Sequence, residues 1–279
     1  MLFDKKIFVN RLVKALTHPR WTATHLLEAT KLFLPQSNSR ILADAENFWN
    51  CDHQSRLPDD SHWLGKGRWT KQKDWIQIGK IHWNMFEKLC LLSGTARPIQ
   101  RMIEWGPGGG ANAARFCFEV QEFFGDDISK ANLAECQHRL EASGLKGFRP
   151  ILVDIRHPEQ CLQFFNNPVE FFLSTAVYQH FPNKEYGIRV TELAYKLLRD
   201  KGLALIQIRY DSGAKRFRPK RRDYHKNMIT FTSYGIDEFW EIVRQIGFKP
   251  LAVTLETSTH YAYFCLQKNA SIRETSETV

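Results

Sequence analysis

The sequence predicts an α/β fold, a mostly parallel seven-stranded sheet with helices on both faces. A C-terminal antiparallel hairpin closes it and an N-terminal helical extension precedes it. Three observations carry this. From Arg101 onward, short apolar runs alternate with helical patterns five times, as strands joined by crossover helices require. The last two apolar runs are separated only by "TSTH", a link too short for a crossover, so they pair antiparallel. Residues 1–95 instead space their apolar side chains three and four apart and hold most of the tryptophan.

Taken in order, "KKIFVNRLVKAL" and "ATHLLEATKLFL" read as amphipathic helices. An aromatic, turn-rich stretch from Phe48 to Trp75 leads into "IQIGKIHWNMFEKLCLLSG", a helix with a glycine stop. The strands are "RMIEW", "QEFFGD", "RPILVDI", "VEFFLST" and "LALIQIRY". Between them lie the helical patterns "ANAARFCFEV", "SKANLAECQHRLEASG", "HPEQCLQFF" and "KEYGIRVTELAYKLLRDKG". A helix over "GIDEFWEIVRQIG", stopped by Gly247, then feeds the hairpin "FKPLAVTLE" and "HYAYFCLQK". The organisation expected is a helical extension and lid over 1–95, a sheet domain over 96–268, and a frayed polar tail over 269–279.

The 279 residues, 43% hydrophobic and 25% charged, are those of an ordinary globular protein. No apolar run approaches the ~20 residues of a membrane span, and the basic start lacks the apolar centre of a signal peptide. A cytoplasmic protein without integral membrane association is expected. The six cysteines show no CxxC spacing and several sit in apolar runs, as reduced core thiols do. Cys51 and His53 have no partners at ligand spacing, so no metal is expected. The net charge of +9 favours acidic partners without choosing among nucleic acid, phosphorylated metabolites and anionic surfaces. Nothing in the sequence points to an oligomeric state.

Chemistry concentrates in "RMIEWGPGGGANAARF". Glycine loses more backbone freedom on folding than any other residue, so Gly106, Gly108, Gly109 and Gly110 together need a reason. A tight strand-to-helix reversal is one; a ligand approaching the main chain is the other. Open α/β sheets bind ligands at the carboxyl ends of their strands, near the switch point beside the first strand. The dinucleotide fingerprint asks for glycine at 111, where this chain has Ala111, a tolerated change. Acids stand at three successive strand ends: Glu104, Asp127 and Asp154. Each alone is equally well a cap or a solvated strand end. Together they line one edge, where a carboxylate can accept both hydroxyls of a ribose. Asp126 competes with Asp127, which is preferred because it comes last before the helix cap Ser129.

"EWGPGGG", "GDDIS", "LVDI" and "STAVYQHFP", with the terminal hairpin, make residues 77–267 resemble the class I S-adenosylmethionine-dependent methyltransferases, which are Rossmann-like. The resemblance implies S-adenosyl-L-methionine as cofactor. Gly106, Pro107, Gly108 and Gly110 would wrap its methionine moiety, and Glu104 would support the loop and the amino end. Asp127 would hold the ribose hydroxyls with Ile128 against the adenine; Asp154 would accept the adenine amino group and Ile155 would offer its backbone amide. Trp105 is bulky where the family has an aliphatic residue, and Pro107 stiffens the loop.

Methyl transfer needs an acceptor atom aligned with the methyl group, and a base only where the acceptor must lose a proton early. In the family, the histidine of a stretch like "YQHFP" often lies near the methyl pocket. His180 is therefore the first candidate for a base or positioning residue and Tyr178 the second, packing under the loop being the alternative for His180. His82 and Trp83 either close the pocket from above or belong to the core. The run "AKRFRPKRRDYHK" follows the fifth strand on the ligand edge, and arginine forks match phosphate and carboxylate geometry. Arg218, Arg221 and Arg222 are thus expected to bind an anionic acceptor, with Phe217 and Tyr224 able to stack on it. The reading is a methyltransferase acting on oxygen or nitrogen of a small-molecule or glycan acceptor. An RNA methyltransferase is the alternative: charge favours it, but an RNA module and the "Asn/Asp-Pro-Pro-Tyr" motif are missing. A non-catalytic cofactor-binding subunit is the third.

Overall fold

The computed structural model describes residues 35–50, 56–97 and 99–270. The two helical patterns before residue 35, Cys51, His53 and most of the tail lie outside these residues. The chain divides at Ser37–Asn38 into two units, and the sheet and the site lie in the second, Asn38–Val279.

Two long helices precede the sheet, α1 (Asn38–Asn50) and α2 (Gln72–Ser93). The segment between them carries a one-turn helix, Leu57–Asp60, and a 3-10 turn, Gly67–Trp69. The strands are β1 (Arg101–Trp105), β2 (Glu122–Asp127), β3 (Phe148–Leu152), β4 (Val169–Ser174), β5 (Leu198–Arg209), β6 (Phe248–Glu256) and β7 (Tyr261–Lys268). They form one sheet in the order β3-β2-β1-β4-β5-β7-β6. The pairs β1–β2, β1–β4, β2–β3 and β4–β5 are parallel, while β7 runs antiparallel to both β5 and β6. The connecting helices are α3 (Lys130–Ala142), α4 (Lys184–Leu197) and α5 (Ile236–Ile246).

The apolar runs that predict the strands are runs because both sheet faces are covered. Neighbours in sequence fall into opposite cores. Ile103, Phe124 and Phe172 pack on one face with Val190 and Leu193 of α4 and Phe239 and Val243 of α5. Met102, Phe123 and Phe171 pack on the other with Trp83, Phe86 and Leu89 of α2 and Leu140 of α3. The glycine stops act as expected: Gly94 and Gly247 end α2 and α5 at φ 68° and 113°.

Three elements depart from expectation. "ANAARFCFEV" holds only one helical turn, Ala113–Phe116, and "HPEQCLQFF" winds as a 3-10 segment, Pro158–Phe164. β3 ends at Leu152, so Asp154 lies beyond the strand it was expected to close. The five described cysteines, Cys90, Cys117, Cys136, Cys161 and Cys265, are buried with free thiols. No helix among the described residues is long and apolar enough to cross a membrane.

Candidate functional site

A cavity of about 800 Å³, counted to its open mouth, lies at the carboxyl ends of β1, β2 and β4. This is the switch point, since β2 and β4 flank β1. The turn after β1 takes positive φ at Gly106 (78°), Gly108 (53°) and Gly110 (85°), conformations that favour glycine.

The space that these glycines leave is filled first by the chain itself. The Gly109 N–H donates to the Ser61 carbonyl at 2.7 Å, and a Cβ on Gly108 would stand 2.6 Å from that same oxygen. A Cβ on Gly109 would meet the His62 carbonyl at 2.7 Å, and one on Gly106 would overlap Val177. Residues 57–69 thus form a strap across the glycine turn. Indole N–H groups fasten it. Trp75 donates to the His62 carbonyl (2.6 Å), Trp69 to the Asp59 carbonyl (2.7 Å), and Trp63 to Asn132 Oδ1 (3.0 Å). The tryptophan-rich composition was the only sequence signal of this strap.

Glu104, at the end of β1, is buried. Asn112 Nδ2 donates to its Oε1 at 2.6 Å and to Thr175 Oγ1 at 3.0 Å, and His82 Nδ1 lies 2.7 Å from Asn112 Oδ1. His82 therefore braces the site through Asn112, which sequence reasoning missed, while Trp83 belongs to the core. Glu104 Oε2 has no partner. Burial pushes this carboxyl up to about 8, against the Asn112 hydrogen bond and with the help of the Asp127 charge.

Asp127 accepts from the Ser129 N–H (2.8 Å) and from Asn132 Nδ2 (3.2 Å), and burial raises it to about 6. Ser129 caps α3. Asp126 is also buried at the cavity, but by strand alternation it points to the opposite face, toward Cys161, and its carboxyl is held well above the usual range by burial. Pro107, Ile128 and Ile155 line the cavity. Asp154 does not. It is exposed, and its carboxylate closes a turn by accepting the Arg156 N–H at 2.7 Å.

On the far wall His180 lines the cavity, its Nδ1 2.9 Å from the Met228 carbonyl. That carbonyl can only accept, so Nδ1 carries the proton and the unprotonated Nε2 accepts from Gln179 Nε2 at 3.2 Å. Burial holds the ring down to about 4, hence neutral at pH 7. Tyr178 is no part of the site: its hydroxyl bonds Thr191 (2.9 Å) and its ring packs on Phe181 and Phe239, because the 3-10 turn Tyr178–His180 sends the two side chains apart. Beside His180 stand two residues that sequence reasoning did not bring together. Trp49 Nε1 donates to Tyr224 Oη (2.9 Å), which donates to the His180 carbonyl (2.6 Å). Of the basic run, only Tyr224 reaches the cavity. Arg218 and Arg221 are exposed, and Arg222 pairs with Asp223 at 3.1 Å. Phe217 stacks on His260 instead, with centroids 3.9 Å apart.

No protein-family model and no curated protein matches the sequence. Among solved structures, the chain is similar to an S-adenosylmethionine-dependent methyltransferase from Clostridium acetobutylicum ATCC 824. The identity is 11%, the TM-score 0.54, and the match covers 72% of this chain and 93% of that one. The chain has the class I methyltransferase fold. The [4+2]-cyclase SpnF is similar as well, at 13% identity and a TM-score of 0.52, covering 75% of this chain and 86% of that one. A methyltransferase fold therefore does not by itself fix the reaction, which has to be argued from the site.

Proposed function

We propose that the chain binds S-adenosyl-L-methionine and transfers its methyl group to an oxygen or nitrogen of a small-molecule or glycan acceptor. The observation that carries this is Glu104 Oε2, a buried carboxylate oxygen without a partner beside the glycine turn. Such an oxygen is costly unless a cation meets it, and the cofactor's ammonium is one. The rest of the cavity fits the same molecule: Asp127 for the ribose hydroxyls, Ile128 and Ile155 for the faces of the adenine, and the glycine turn for the methionine chain. Bound there, the sulfonium supplies an activated methyl group.

The chain's own part is to orient the acceptor and keep water out. Trp49, Phe181 and Tyr224 wall the space in front of His180. Neutral His180, with its proton fixed on Nδ1, accepts the proton of an attacking hydroxyl on Nε2 once that hydroxyl displaces the Gln179 amide, 3.2 Å away, from the same nitrogen. Calorimetric titration with S-adenosylmethionine tests the reading, followed by transfer of labelled methyl to extract fractions of RNA, protein, glycan and metabolites. Absence of binding would sink it; binding without label in any fraction would leave a non-catalytic cofactor-binding subunit.

Two expectations follow for the site. Asp127→Ala weakens cofactor binding by roughly 1.5–3 kcal/mol, the range for a hydrogen bond to a charged group, while Asp126→Ala changes it far less. A reversal in the titrations would move the ribose to Asp126.

The exposed Arg218 and Arg221, with Arg222, favour one further reading, in which the acceptor is anionic and extends out of the cavity along the 214–226 loop. Neutralising all three then raises the acceptor KM and leaves cofactor affinity unchanged. An RNA acceptor would make binding fall steeply and log-linearly with salt; a small anion gives the shallow dependence of ordinary screening. The shallow result is expected, and a steep slope abolished by the triple substitution would establish RNA.

A further inference from the structure

Resting on that cofactor reading, we propose that the strap is part of the cofactor site and that the Ser61 hydroxyl donates a hydrogen bond to the α-carboxylate of the bound amino-acid moiety. The cofactor's amino-acid end is a zwitterion. Glu104 can answer the ammonium but not the carboxylate, which asks for donors. Among the described residues, no lysine or arginine lines the cavity. The carboxylate must therefore be held by neutral donors, and a hydrogen bond to a charged group is about twice as strong as one between neutral groups.

Ser61 Oγ is such a donor in the right place. It is buried, lines the cavity and has no partner. A serine hydroxyl carries one proton to give, and leaving it unmade in a buried position has a cost. Tyr224 Oη already spends its proton on the His180 carbonyl. Thr175 Oγ1, which accepts from Asn112 Nδ2, stands with Asn112 on the Glu104 side, where the ammonium is proposed to lie, and Asn132 Nδ2 donates to Asp127 on the ribose side. The Ser61 backbone is fixed on the turn expected to wrap the methionine chain, through the Gly109 N–H and the close approach of Gly108. Two fasteners that do not touch the cofactor site's own acids hold the strap there, Trp75 on the His62 carbonyl and Arg139 on the Leu64 carbonyl at 2.9 Å. The neighbouring Asp60 does not repel the carboxylate as a lone charge would. Arg56 and Arg68 stand 3.4 and 3.7 Å from its oxygens.

The test compares two ligands on wild type and Ser61→Ala. S-adenosylhomocysteine has the amino-acid end; 5′-methylthioadenosine shares the adenosine and sulfur but lacks it. Calorimetry should give a Kd for S-adenosylhomocysteine about 10- to 100-fold higher in the variant, the effect of one hydrogen bond to a charged group. The Kd for 5′-methylthioadenosine should stay within about twofold. Equal losses on both ligands, or no loss on either, would overturn the assignment of Ser61. Wild-type protein that binds neither ligand would overturn the cofactor reading itself, and the assignment with it. A thermal melt of the variant accompanies the titrations, and unchanged 5′-methylthioadenosine binding reports an intact adenosine site independently.

Discussion

Gly108→Val is expected to lower the melting temperature by roughly 5–12 °C and to release the strap from the glycine turn. Were the glycine there only to let a ligand approach the main chain, the fold would stay intact and binding alone would be lost. The structure puts the Ser61 carbonyl where the new Cβ would go, at 2.6 Å, and the backbone sits at φ 53°. A β-branched side chain in the left-handed region costs about 1–3 kcal/mol, and the displaced carbonyl loses its bond from Gly109 in addition, about 1 kcal/mol. For a unit of this size each kcal/mol corresponds to ~2–4 °C. Limited trypsin digestion checks the second half of the expectation, because Arg56, Lys66, Arg68 and Lys71 all lie in or beside the strap. Faster cleavage there, together with lost cofactor affinity, is the expected pair of results. Lost affinity with unchanged digestion would restore the simpler picture of a blocked ligand.

Glu104→Gln should make the ligand-free protein more stable and the cofactor complex weaker. The carboxyl is pushed up from its ordinary value to about 8, so between about 4.5 and 8 the folded protein holds a proton that the unfolded chain has lost. Stability therefore falls as pH rises through that window, and at about 1.4 kcal/mol per unit the cost approaches roughly 4–5 kcal/mol above pH 8. Glutamine can keep the bond from Asn112 and has no proton to lose. Urea unfolding at pH 5 and pH 8.5 should show the variant's advantage only at the higher pH. Asp126 and Asp127, also raised, remain in both proteins, and the repulsion between Asp127 and Glu104 is part of the cost that the variant removes. Binding a cation reverses the shift. At pH 7 the wild type should release close to one proton on taking up S-adenosylmethionine, read as a dependence of the calorimetric heat on the buffer's ionisation enthalpy. The variant should release none and bind about 10- to 100-fold more weakly. A proton released equally by both would place the ammonium elsewhere.

What was legible in the sequence divides along physical lines. Parallel strands buried on both faces write themselves as unbroken apolar runs, and helix ends in left-handed conformation write themselves as glycine, so the sheet, the hairpin and the stops at Gly94 and Gly247 could be read directly. Glu104, Asp127 and the glycine turn were legible because they sit within one short strand–turn–strand stretch. Asp154 was misplaced because strand ends are set by register, and β3 stops two residues before it. Tyr178 and His180 are both candidates in the sequence, His180 first; the 3-10 turn decides that the tyrosine faces the core and the histidine the cavity. The arginines of the 214–226 loop advertise charge but not direction, and a neutral residue among them, Tyr224, is the one that turns inward. Ser61 and Trp49 gave no signal beyond that of the aromatic stretch they lie in, since their roles come from contacts with residues far along the chain.

That last feature has a cost in time. The indole of Trp49 closes its wall of the cavity by bonding Tyr224, 175 residues further on. A ribosome adding about 5–20 residues per second needs roughly 10–35 s to deliver the partner after the tryptophan has been made. Through that interval α1 has neither Tyr224 nor the one-turn helix around it to pack against. A nascent chain would expose Phe48 and Trp49 until those 175 residues have been added, and the pocket in front of His180 cannot exist before then.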